Sequence, residues 1–155
     1  MQKRWLLFTL PFLVLFMTVV AGVSAERGKM ARGSEGKIIL TPDALQWKAG
    51  PSSLPTSQVA VLEGDPKKQG FFVMRIKLPA GTKIPPHVHK NRERVTIISG
   101  KFNLAMGEKT ENPISLPAGS YFSFQPNTVH NAWVDEETVV QIGTMGPWSY
   151  EPTKR

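Results

Sequence analysis

His87, His89 and His130 are the only histidines of this 155-residue chain, and Glu93 follows His89 by four positions. Neutral imidazoles and a carboxylate are the donors that hold divalent copper, zinc, nickel, iron or manganese. On an extended strand, residues two apart project from the same face, so His87 and His89 can aim at one point. Taken alone, an H-x-H pair is better read as two surface histidines in a polar loop. What decides between the two readings is the set of elements around the pair. The chain has no cysteine, which removes the thiolate ligands common in closed structural zinc sites and favours an open one.

The first 25 residues read as an export signal. Lys3 and Arg4 give a basic start, Trp5 to Val23 carry no charge, and Val23-Ser24-Ala25 supplies a small-residue cleavage pattern. Pro11 interrupts the apolar run, which favours cleavage over retention as an anchor. The expected mature protein begins near Glu26, is periplasmic or secreted, and has no membrane segment. Without cysteine it has no disulfides, so packing and bound metal must stabilise it. Lys3-Arg4 is not a twin-arginine pair, so metal is acquired outside the cytoplasm, where copper, zinc and nickel are favoured on affinity. Removing Lys3 and Arg4 takes the 19 basic residues to 17 against 12 acidic, a formal +5. These charges are scattered, so the chain is not read as binding nucleic acid.

Residues 26–36 are polar and glycine-containing, the composition of a disordered lead. Residues 37–150 are expected to form a single domain, too short to divide into two. Lys37 to Leu40 reads as a short strand, and Thr41-Pro42-Asp43 as the start of one helical turn. Short segments rich in β-branched and aromatic residues then follow at Val59–Leu62, Phe71–Leu78, Arg94–Ser99, Lys101–Met106, Tyr121–Phe124 and Thr138–Ile142. Gly, Pro, Asn and Asp separate them. Such punctuation predicts an all-β sandwich or barrel. Within Phe71–Leu78, alternation puts Phe72, Met74, Ile76 and Leu78 on one face and Val73, Arg75 and Lys77 on the other. Arg75 then either faces solvent or contributes to an anion site.

Gly81, His87, His89, Glu93 and Gly100 stand at the spacing of the first cupin motif, and Gly119 with His130 at that of the second. The chain therefore resembles the cupin superfamily over roughly residues 57–145. The Val61–Pro66 stretch, Pro85-Pro86-His87 and the closing 141–148 segment resemble small exported bacterial single-domain cupins. The resemblance implies a double-stranded β-helix, or jelly roll, and a homodimer. It also implies one divalent transition metal held by His87, His89, Glu93 and His130, the last arriving from the other side of the barrel. Two places depart from the second motif. Gln125 and Asn127 replace its usual proline and glycine, and asparagine tolerates the left-handed turn required there. Val134 replaces its usual asparagine, a loss for which Asn131 is the candidate compensation.

Four ligands on an octahedral ion leave two adjacent positions open. The leading expectation is a metal-dependent oxidoreductase of dioxygenase type acting on a small oxygen-rich molecule, with Glu93 as ligand or base. The alternative is a periplasmic protein that binds metal or a small ligand without turnover. Phe122 and Phe124 share a face by parity and, with Arg75, are the candidate pocket residues. No phosphate loop, nucleotide fingerprint or catalytic triad is present.

Overall fold

The computed structural model describes residues 36–153, so the expected signal peptide and all but the last residue of the lead lie outside the described residues. The described chain is built from strands: β1 (Lys48–Ala49), β2 (Gln58–Glu63), β3 (Gly70–Leu78), β4 (Lys83–Val88), β5 (Glu93–Ser99), β6 (Lys101–Met106), β7 (Ile114–Pro117), β8 (Tyr121–Phe124), β9 (His130–Trp133), β10 (Thr138–Gly146) and β11 (Glu151–Pro152). Its one helical element is a single 3-10 turn at Pro42–Ala44. Six strands form one antiparallel sheet in the order β1-β2-β3-β10-β5-β8, and five form the other in the order β11-β4-β9-β6-β7. The fold is an all-β cupin jelly roll.

The six segments rich in β-branched and aromatic residues all form strands, and β6 and β8 have the expected ends. β10 runs four residues further than its β-branched core, because β3 pairs with it all the way to Gly70↔Gly146. Lys37 to Leu40 does not form the expected strand. Only Ile38 makes an isolated bridge, and both Ile38 and Ile39 are exposed, so no ladder or core holds them extended. The ordered barrel also passes residue 150, because β11 pairs with β4.

Alternation in β3 sends Phe72, Met74, Ile76 and Leu78 into the core, as its parity predicts. They pack with Val95 and Ile97 of β5, Phe102 and Leu104 of β6, and Val140 and Ile142 of β10. Both sheets thus fill one layer of apolar side chains between them. Arg75 lies on the opposite face of β3, where its Nε donates to Gln141 Oε1 of β10 at 3.1 Å.

The β5–β6 hairpin needs glycine at position 100 for two reasons. Its φ is +75°, and an added Cβ would sit 2.5 Å from the carbonyl oxygen of Glu137 and from Thr138 Oγ1. Gly100→Ala is therefore expected to destabilise the protein by about 1–3 kcal/mol, read as a lowered urea midpoint. An unchanged midpoint would show that the hairpin accommodates the methyl group.

Candidate metal centre

Antiparallel pairing of β4 with β9 sets His87 opposite His130. Between Ile84 and His87 the register shifts, so that three steps along β4 match two along β9. The extra residue falls at Pro85-Pro86, which have no N–H to give to a ladder. Without it, Ile84 and Pro86 would share the inner face; with it, Ile84 and His87 do. The bulge therefore aims His87 inward. His130 comes from the neighbouring strand of the same sheet rather than from across the barrel, because β9 lies beside β4 in the sheet order.

His89 stands one residue beyond β4, and Glu93 opens β5. The loop between them is tied down from β10, where Thr144 Oγ1 donates to Arg92 O at 2.8 Å and Met145 O accepts from Asn91 Nδ2 at 2.9 Å. Asn127 takes the expected left-handed conformation, with φ of +62°. Its N–H donates to His89 O at 2.8 Å, so the turn before His130 holds the backbone of His89. Asn131 faces away from its neighbour His130 and donates to Gly107 O and Lys109 O, both at 3.0 Å.

The three imidazoles share one pattern. Each Nδ1 faces a backbone carbonyl: Pro85 O at 2.8 Å for His87, Thr128 O at 3.0 Å for His130, and Ser149 O for His89. A carbonyl only accepts, so each Nδ1 carries a proton, and in the neutral ring the lone pair then lies on Nε2. These tautomers converge. The ligand atoms of the three histidines lie within 4.8 Å of one another, with His87 Nε2 and His89 Nε2 only 3.1 Å apart. Glu93 spans the other two, with Oε1 3.4 Å from His89 Nε2 and Oε2 3.5 Å from His130 Nε2.

All four side chains are buried. Burial, and after it the proximity of His130, pushes His87 down to about 4, so it is neutral at pH 7. Burial pushes the Glu93 carboxyl up, but contact with His130 and the nearby His89 and His87 more than offset it and hold the group below the usual carboxylate value. Three imidazole Nε2 atoms and one carboxylate therefore face a common buried centre. Among these atoms Glu93 Oε2 has no hydrogen-bond partner. A divalent cation suits this donor set, and the far nitrogen of each ring is held by a backbone carbonyl that fixes its orientation.

An aromatic ring backs each imidazole. Phe124 lies 4.9 Å from His130, Tyr150 stacks on His87 at 4.4 Å, and Trp148 lies parallel to His89 at 6.0 Å between centroids. A cavity of about 40 Å³ adjoins the cluster, lined by the four polar side chains, Phe122, Trp148, Tyr150 and aliphatic groups. Phe122 thus reaches the cavity, whereas Phe124 packs behind His130 without lining it. Arg75 does not reach the cavity, because β3 parity turns it outward; it is not a pocket residue.

Trp148 and Tyr150 are site residues that the sequence did not reveal. They follow no motif and lie about sixty positions from His87 and His89. The only signal was the pair of aromatics two apart after the last long strand. They are placed by the chain end: Trp148 N donates to Pro66 O at 2.8 Å, Lys90 N to Ser149 Oγ at 2.7 Å, and Thr153 N to Pro86 O at 3.1 Å.

The pKa of His87 has a consequence for the metal-stripped protein. Between its ordinary value of 6.5 and about 4 the unfolded chain binds a proton at His87 that the folded chain does not. Stability therefore rises with pH through this window and falls as pH drops, by on the order of 3 kcal/mol for this group. Urea midpoints at pH 7 and 4.5 should differ more in wild type than in His87→Gln. Equal differences would mean that His87 is not the titrating group.

No curated protein matches the chain in sequence. In fold it is similar to the polyketide cyclase RemF from Streptomyces resistomycificus, with a TM-score of 0.65 at 9% identity over 77% of this chain and 87% of the cyclase. It is similar also to an acetylacetone dioxygenase from Acinetobacter johnsonii, with a TM-score of 0.59 at 17% identity over 76% and 78%. An RmlC-like cupin from Ralstonia eutropha gives 0.58 at 21% identity over 72% and 70%. At these identities the likeness is one of fold. The family model for the ChrR cupin-like domain matches residues 35–149, a span that contains all four residues of the cluster, and the chain therefore belongs to the ChrR cupin-like domain family.

Proposed function

We propose that this protein is an exported metal-binding cupin that acts as a dioxygenase-type oxidoreductase on a small oxygen-rich molecule. The observation that carries the metal reading is the convergence of three Nε2 atoms and the Glu93 carboxylate, each Nδ1 being committed to a carbonyl. His87, His89, Glu93 and His130 would hold the ion. A bound divalent ion supplies Lewis acidity and, when it is copper, nickel, iron or manganese, the redox capacity that dioxygen chemistry needs.

The chain's own residues have separate tasks. The Nδ1–H bonds to Pro85, Thr128 and Ser149 orient the imidazoles before any ion arrives. Ile84, Val95, Ile142 and Phe122 give the cavity an apolar lining. Glu93, with one buried oxygen unpartnered, either remains a ligand or takes a proton from a substrate hydroxyl at Oε2. The fold likeness to an acetylacetone dioxygenase supports the compatibility of this barrel with such chemistry. Periplasmic or secreted localisation and a homodimer belong to the same proposal. Phe71 and Met145, which are cross-strand partners, leave large apolar surface exposed on the six-stranded sheet.

A second reading, a protein that binds a metal or small ligand without turnover, is favoured by the small size of the cavity. At about 40 Å³ it has room for about three water molecules. The metal separates the two readings, because zinc cannot supply the redox step.

Elemental analysis of protein purified from its own export compartment is expected to give one transition-metal ion per chain. His87→Ala or His130→Ala should reduce it several-fold and lower the melting temperature, since bound metal stabilises the folded state. Unchanged metal content would remove that residue from the set. Oxygen uptake with small oxo-acids should disappear in Glu93→Gln with metal retained. A wild-type protein that holds stoichiometric zinc and consumes no oxygen would replace the dioxygenase reading with the binding one.

A further inference from the structure

Among the described residues, only two buried side-chain polar atoms lack a hydrogen-bond partner: Glu93 Oε2 and Trp148 Nε1. Both residues line the same cavity. One atom is an acceptor and the other can only donate. They would satisfy each other if they met, and they do not. Buried polar atoms are rarely left unpaired, and an exception marks an absent partner. The absent partners here have opposite character, since Glu93 needs a cation and Trp148 needs an acceptor.

The indole is held in place by contacts independent of any ligand. Its ring lies 15° from parallel with that of His89, and its backbone N–H is bonded to Pro66 O. The indole is thus fixed beside His89 in the cavity wall, with its one donor unpartnered. Every other cavity-lining side chain outside the cluster is apolar except Tyr150, so the pocket offers few other polar contacts to a guest.

Charge narrows the guest further. Imidazoles that ligate through Nε2 are neutral, so a divalent ion against the single Glu93 carboxylate leaves one uncompensated positive charge in an apolar cavity. Burying that charge is costly unless an anion neutralises it. The cavity volume admits only a few heavy atoms. Resting on the metal reading above, we propose that the ligand class is a small monocarboxylate or 2-oxo-acid, and that Trp148 is the specificity-determining donor to one of its oxygens.

The mature chain loaded with zinc, which is diamagnetic, and titrated with pyruvate tests this. The Trp148 indole N–H resonance, assigned by its loss in Trp148→Phe, is expected to move downfield as pyruvate saturates. Pyruvate affinity should fall about tenfold or more in Trp148→Phe, the loss of one hydrogen bond to a charged acceptor, while bound zinc stays stoichiometric. An indole resonance that does not move in saturated wild type overturns the inference without requiring the variant to fold. So does equal pyruvate affinity in the two proteins, or absence of pyruvate binding to zinc-loaded wild type; in each of these the metal reading stands. Failure of wild type to retain zinc overturns both.

Discussion

The Nε2 atoms of His87 and His89 lie 3.1 Å apart in an apolar interior, with the Glu93 carboxylate beside them. Backbone carbonyls enforce this arrangement. Pro85, Thr128 and Ser149 each claim one Nδ1–H, and that commitment turns every Nε2 toward one point. A cation at that point would be shared by the three nitrogens and the carboxylate, which would link metal binding to the stability of the surrounding barrel.

Much of the architecture serves these three carbonyl bonds. The β4 bulge at Pro85-Pro86 brings the Pro85 carbonyl under His87 and turns the ring inward in the same stroke. Asn127 in its left-handed turn holds the His89 backbone and prepares the Thr128 carbonyl for His130. The chain end returns along β4 and delivers the Ser149 carbonyl to His89, with Trp148 and Tyr150 on either side. A sheet edge that would otherwise be open is thereby paired, and the centre acquires a wall that no local segment could provide.

Dryness and charge act together at this site. Burial lowers His87 and keeps it neutral, the state in which it can ligate, while Glu93 stays ionised against the same burial through its contacts with the histidines. The cavity is then apolar except at the cluster, at Tyr150 and at the Trp148 indole, so electrostatic contacts made there are little screened by water. The arrangement suits a small charged guest better than a large aromatic one.

How much of this could be read beforehand follows from the range of each interaction. Strand parity, hairpin glycines and motif spacing are local, so Phe72 to Leu78 sorted correctly by face, Gly100 and Asn127 took positive φ, and the four cluster residues stood out by type and interval. Arg75 was the ambiguous case: its parity already pointed outward, and packing of β3 against β10 settled it. The sequence by itself determined which side chains could meet at a metal and that strands would carry them, because side-chain chemistry and alternation are fixed by residue order. Only the tertiary structure decided that His130 comes from the adjacent strand, that a proline bulge aims His87, and that Trp148 and Tyr150 close the cavity, because register and the docking of a distant chain end are set by pairing partners that no local pattern encodes.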